Sequence, residues 1–123
     1  MESHPTLNYK EPINMSISWI FLFLAGFFEI CFTIALKFSM GFSRIIPSVI
    51  TVVFITLSFF CVSQSMKTIP IGTAYAVWAG IGAAGSVTCG IIFFGDSAHV
   101  IRLLSIVLIV IGIVGLKLAH VDP

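Results

Sequence analysis

ISWIFLFLAGFFEICFTIAL, residues 17–36, decides the fold: it is an unbroken apolar run with a single formal charge inside it, Glu29. About 20 such residues make a helix long enough to cross the hydrocarbon of a bilayer. A carboxylate deep in that span costs roughly 3 kcal/mol on insertion scales, so its presence points to a function, and Glu29 is the first candidate site residue. Followed in steps of three and four, its helix face carries Leu22, Ala25, Gly26, Phe32, Thr33 and Leu36. Ala25 and Gly26 are small enough for another backbone to approach, and Phe32 stands one turn from the carboxylate.

The rest of the chain has the same character. Hydrophobic residues make up 59% and charged residues 9% of 123 positions, and the mean hydropathy is +1.15. A water-soluble chain needs more polar surface than this, so the protein is an integral membrane protein with the lipid bilayer as its solvent. A net charge of +1 with no basic stripe gives no sign of a nucleic-acid partner, and none is expected. Cys31, Cys61 and Cys89 each lie in apolar sequence without metal-ligand spacing, where a thiol packs as a small hydrophobe.

Charges and turn residues cut the chain into four apolar segments: 17–36, 45–66 with Pro47 near its start, 71–95, and a fourth from about 100 to 116 with Arg102 one turn in. Each is close to a bilayer span, which predicts an all-α membrane protein of four transmembrane helices over residues 15–123. Residues 1–14, with His4, Pro5, Lys10, Glu11 and Pro12, read as a polar tail without periodicity. The tail has no apolar stretch before a cleavage site, so a signal peptide is not expected, and Met15 is an alternative start. His99 and His120 fall at segment ends and read as interfacial polar residues.

Lysine and arginine are balanced between the two membrane faces. Lys10, Lys67 and Lys117 fall on one side, Lys37, Arg44 and Arg102 on the other. Cytoplasmic loops normally hold the excess, so this chain specifies no orientation, and both are expected. Four short helices also enclose little volume. Transporters commonly build an alternately open site from two repeats related by an axis in the membrane plane, and an antiparallel dimer of this chain supplies both repeats. Two Glu29 side chains then face one cavity. Gly112 and Gly115 in the fourth segment permit close helix contact at such a dimer interface.

The third segment is distinctive. Gly72-Thr73-Ala74-Tyr75-Ala76-Val77-Trp78-Ala79-Gly80-Ile81-Gly82 places Tyr75 and Trp78 on one face with Gly72, Ala79 and Gly82. An aromatic pair in mid-membrane offers flat walls to a planar or cationic ligand, and Gly80 and Gly82 offer a place to pack or bend. The chain carries no phosphate-binding loop, metal cluster or nucleophile–base set, so neither an enzyme nor a cofactor is expected.

That third-segment string resembles the small multidrug resistance family, as do the single glutamate of the first helix, Gly41-Phe42-Ser43-Arg44, Lys67-Thr68-Ile69-Pro70-Ile71-Gly72 and Gly90-Ile91-Ile92-Phe93-Phe94-Gly95-Asp96. Within it the chain is most similar to the guanidinium-exporter subtype, and the resemblance covers residues 15–119. It implies a four-helix, dual-topology, antiparallel dimer in the bacterial inner membrane that exchanges protons for an organic cation. Carried over by position, Glu29 matches the shared proton and cation site, Ser58 the hydroxyl beside it, and Tyr75 and Trp78 the aromatic walls. One position departs: the subtype's pattern is Glu-x-x-Trp, and here residue 32 is Phe32. Phenylalanine keeps an aromatic wall and lacks the indole N–H, for which Thr33 and Ser58 are candidate substitutes.

The expected activity is proton-coupled antiport of guanidinium and small substituted guanidinium ions, with cation and protons competing for Glu29. Two alternatives stand beside it. One keeps the fold and changes the cargo to quaternary ammonium compounds, and the other is a non-transporting or heterodimeric membrane subunit.

Overall fold

A computed structural model describes residues 14–119. The polar tail with His4 and Lys10, and His120 at the other end, lie outside the described residues. Four helices follow in order: α1 Met15–Phe38, α2 Ile45–Ser65, α3 Ile71–Phe93 and α4 Val100–Leu118. All four are long and apolar enough to cross a membrane by length and composition. The shortest has 19 residues, which at helical rise spans about 28 Å, close to the ~30 Å of hydrocarbon.

The helices begin and end where local chemistry allows it. Asn14 caps α1 by accepting the Ile17 N–H at 2.9 Å, which satisfies one of the first-turn donors. Lys37 sits in the last turn, where a cation faces the negative end of the helix dipole. The connection to α2 then holds three consecutive residues in the left-handed region, Met40 (φ 51°), Gly41 (φ 72°) and Phe42 (φ 66°). Two of them carry side chains, so this turn needs support. Ser39 provides it: its buried hydroxyl donates to Leu36 O at 2.6 Å and accepts the Phe42 N–H at 3.0 Å.

α1 is the hub of the bundle. It packs along α2 and α3, while α4 rests on α3. The buried core joins Trp19, Leu22 and Ala25 of α1, Cys61 and Val62 of α2, and Ala74 and Val77 of α3, closed at one end by Ile69. Where α1 crosses α3, glycines alternate with larger side chains: Gly26 meets Ile81, Gly85 meets Ile30, and Gly82 meets Glu29. Small residues bring the two backbones close, the usual source of helix affinity in lipid. The Ser18 and Thr68 hydroxyls are hydrogen-bonded to each other where α1 meets the α2–α3 turn.

Basic residues gather at the two ends. At one end the Lys117 ammonium lies 4.8 Å from the centre of the Trp19 ring. At the other, Lys37 lies 5.5 Å from the Phe94 ring centre and Arg102 pairs with Asp96 at 3.9 Å. Arg102 and Lys117 therefore reach opposite faces, as long cationic side chains do at membrane boundaries. α4 contributes no buried residue, and a side chain at Gly112 or Gly115 would meet nothing within 4 Å.

Candidate functional site

The site is built around the α1–α3 crossing. Glu29 projects from α1 onto the bare Cα of Gly82, and a Cβ at residue 82 would collide with the carboxyl group. One carboxyl oxygen, Oε1, is buried and finds no hydrogen-bond partner among the described residues. The ion pair among them is Arg102–Asp96, at the end of the bundle, so no lysine or arginine among the described residues pairs with Glu29. A half-buried carboxyl without a cation of its own is a place for an added cation or a proton.

Beside it, three helices are joined by one hydrogen-bond chain. The Trp78 indole N–H donates to Ser58 Oγ at 2.9 Å, and the Ser58 hydroxyl, fully buried, donates to the carbonyl of Ala25 at 2.7 Å. Ala25 lies one turn before Glu29 on α1. The chain thus runs from the aromatic wall on α3, through α2, to the helical turn that carries the carboxylate. Buried polar groups in such an arrangement hold one geometry, since breaking any link strands a donor or acceptor.

Tyr75 and Trp78 do share a face, with ring centres 5.9 Å apart and planes at 71°. Phe59 of α2 meets Trp78 edge-on at 5.5 Å and 77°. Trp78 is therefore fixed from two sides and by its N–H, while Tyr75 is 58% exposed in the single chain. The aromatic walls are edge-to-face surfaces with one open flank.

The structure distributes the other expected residues differently from one another. Phe32 is half-buried on α1, one turn beyond Glu29. The two substitute donors considered for the missing indole are already engaged, because Thr33 donates to Glu29 O at 2.8 Å and Ser58 to Ala25 O. Gly82 faces Glu29, but Gly80 turns the other way, toward Ile113 of α4. α3 stays helical through both glycines, so here they serve close packing and no break occurs. Sequence reasoning passed over Phe59 and the Ala25 carbonyl, since neither announces itself without the helix pairing.

A groove of about 680 Å³ lies between α1, α3 and α4, lined by residues such as Phe27, Ile30, Val110 and Ile113. Glu29 is not among its lining residues, and its walls are apolar. It is not the charged site.

Comparison with known proteins gives the same direction. Residues 17–109 match the family model described as Small Multidrug Resistance protein. A guanidinium exporter of Proteus vulgaris is 52% identical over 103 residues, covering 84% of this chain and 99% of the relative. The guanidinium exporters of Salmonella typhimurium (strain LT2) and Escherichia coli (strain K12) are each 50% identical over 103 residues, 84% of this chain and 98% of theirs.

Proposed function

This chain belongs to the small multidrug resistance family, and from that premise we propose that it exports guanidinium and small substituted guanidinium ions in exchange for protons. The observation that carries this reading is the unneutralised Glu29 carboxyl, lodged against Gly82 inside a membrane-spanning bundle. A guanidinium is planar and permanently charged, and it pairs with a carboxylate through two parallel N–H bonds. A proton on the same carboxyl removes that pairing. Cation and proton are then alternative occupants of one site, and a dimer that switches sides only when occupied couples their movements in opposite directions.

The functional unit is an antiparallel homodimer in the bacterial inner membrane. Three features support it: the balanced charges at the two ends, the open flank of Tyr75, and the unburied α4 with Gly112 and Gly115 free for a partner. Ser58 and Trp78 position the Glu29 turn, and Tyr75, Trp78 and Phe32 wall the cargo. Phe32 favours a second cargo class, since without an indole donor at 32 the carboxylate is held by fewer bonds and bulkier quaternary ammonium ions are less strictly rejected.

Guanidinium binding to purified protein, measured over a pH series, tests the reading. Affinity should fall as the pH falls, because protons displace the cation, and Glu29→Gln should abolish both the binding and its pH dependence. Binding by Glu29→Gln protein would place the site elsewhere.

A further inference from the structure

α3 carries its site residues at steps of three and four: Tyr75, Trp78, Gly82 and then Ser86. Ser86 follows Gly82 by one turn, so it lies on the face that receives the Glu29 carboxyl. A serine or threonine inside a helix usually gives its proton to the carbonyl four residues back. Thr33, Thr88 and Ser105 all do so, each at 2.8 Å. Ser86 does not. Its Oγ is buried, and with Glu29 Oε1 and Arg102 Nε it completes the buried side-chain polar atoms left without a hydrogen-bond partner among the described residues. Arg102 belongs to the far end of the bundle, beside Asp96. Two of these three atoms therefore belong to one crossing: Glu29 Oε1 lies against Gly82, and Ser86 stands one turn along the same face of α3.

We propose that Ser86 is a cargo-selecting residue of the Glu29 site, its hydroxyl oxygen accepting an N–H from a guanidinium paired with the carboxylate. This rests on the reading of the protein as a guanidinium exporter. A carboxylate satisfies two N–H groups along one edge of a guanidinium and leaves the others without acceptors. The neighbouring hydroxyls are committed: Ser58 already accepts from Trp78 and gives its proton to Ala25, and Thr33 gives its proton to Glu29 O. Ser86 holds unused acceptor capacity on the same face. A site that hydrogen-bonds cargo N–H groups rejects cations that lack them, because the hydroxyl is then left buried and unpaired. Ser86 thus separates guanidinium from quaternary ammonium ions and from fully methylated guanidinium.

The test is equilibrium binding of guanidinium and of hexamethylguanidinium, which keeps the CN3 core and its charge but has no N–H, to purified wild-type protein and to Ser86→Ala, Ser86→Thr and Ser86→Val. Ser86→Ala and Ser86→Val should weaken guanidinium about tenfold, the worth of a hydrogen bond to a charged group. Ser86→Thr should restore it, and none of the three should weaken hexamethylguanidinium. Thr and Val have the same shape, so their comparison stands even if Ser86→Ala does not fold. Equal guanidinium affinity in the Thr and Val variants would overturn the inference alone. Wild-type protein that binds no guanidinium would overturn the functional reading, and this inference with it.

Discussion

The carboxyl group of Glu29 occupies the space that a side chain at Gly82 would need. This pairing gives the ionisable group room at a close helix crossing: a Cβ at residue 82 would collide with the carboxyl, and glycine has none. Gly82→Ala should displace the carboxyl, which sits at the end of a flexible side chain and can rotate away. Guanidinium affinity should fall by at least tenfold while the protein remains folded. Gly85→Ala offers the contrast, since its Cβ would meet Ile30. Overpacking there should destabilise the bundle by about 1–3 kcal/mol, readable as a lower unfolding midpoint in detergent.

The chain Trp78–Ser58–Ala25 predicts non-additive mutations. Ser58→Ala strands the part-buried Trp78 N–H, and Trp78→Phe removes the same bond from the other side. Each should cost about 1–3 kcal/mol in stability or cargo binding, and the double variant should be little worse than either single one. Full additivity in this double-mutant cycle would mean that the bond carries no coupling between α2 and α3.

How much of this was legible in the sequence can be judged helix by helix. The expected segments 17–36, 45–66, 71–95 and 100–116 differ from the observed helices by two residues at most at any end. Long apolar runs closed by Lys37, Lys67, Asp96 and Lys117 leave little choice in a bilayer, where every backbone group must be satisfied within its own helix. Glu29 was legible because charge is rare there, and Tyr75 with Trp78 because their spacing sets a common face. The partners of Ser58 were not, since its acceptor sits on another helix and depends on how α1 and α2 pair. The outward turn of Gly80 and the uncommitted hydroxyl of Ser86 likewise depend on the crossing of α3 with its neighbours, which periodicity within one helix does not encode.

Topology supplies a further prediction. Met40 and Phe42 are 61% and 55% exposed in the α1–α2 turn, and both already adopt left-handed backbone as non-glycine residues. Met40→Lys with Phe42→Lys should therefore be tolerated by the fold while pulling that turn to the cytoplasm in nearly every copy. Transport should fall, and coexpression with a copy biased the other way should restore it. Full activity from a strictly one-way population would rule out the antiparallel dimer.

On the proposed reading, Phe32 sets the cargo range. Phe32→Trp adds an indole N–H one turn from Glu29 and reduces the space beside it, so the preference for guanidinium over bulky alkyl-guanidines should sharpen. A series of alkyl-guanidines of rising size, compared in wild-type and Phe32→Trp protein, reads this directly. An unchanged profile would mean that position 32 does not line the cargo.

Flux from the purified protein alone, in liposomes, tests the central claim most directly. With guanidinium loaded inside and no pH gradient, outward guanidinium movement should drive protons inward and acidify the lumen, and Glu29→Gln should abolish both movements. Guanidinium efflux without any proton movement, or undiminished exchange by Glu29→Gln, would contradict the account.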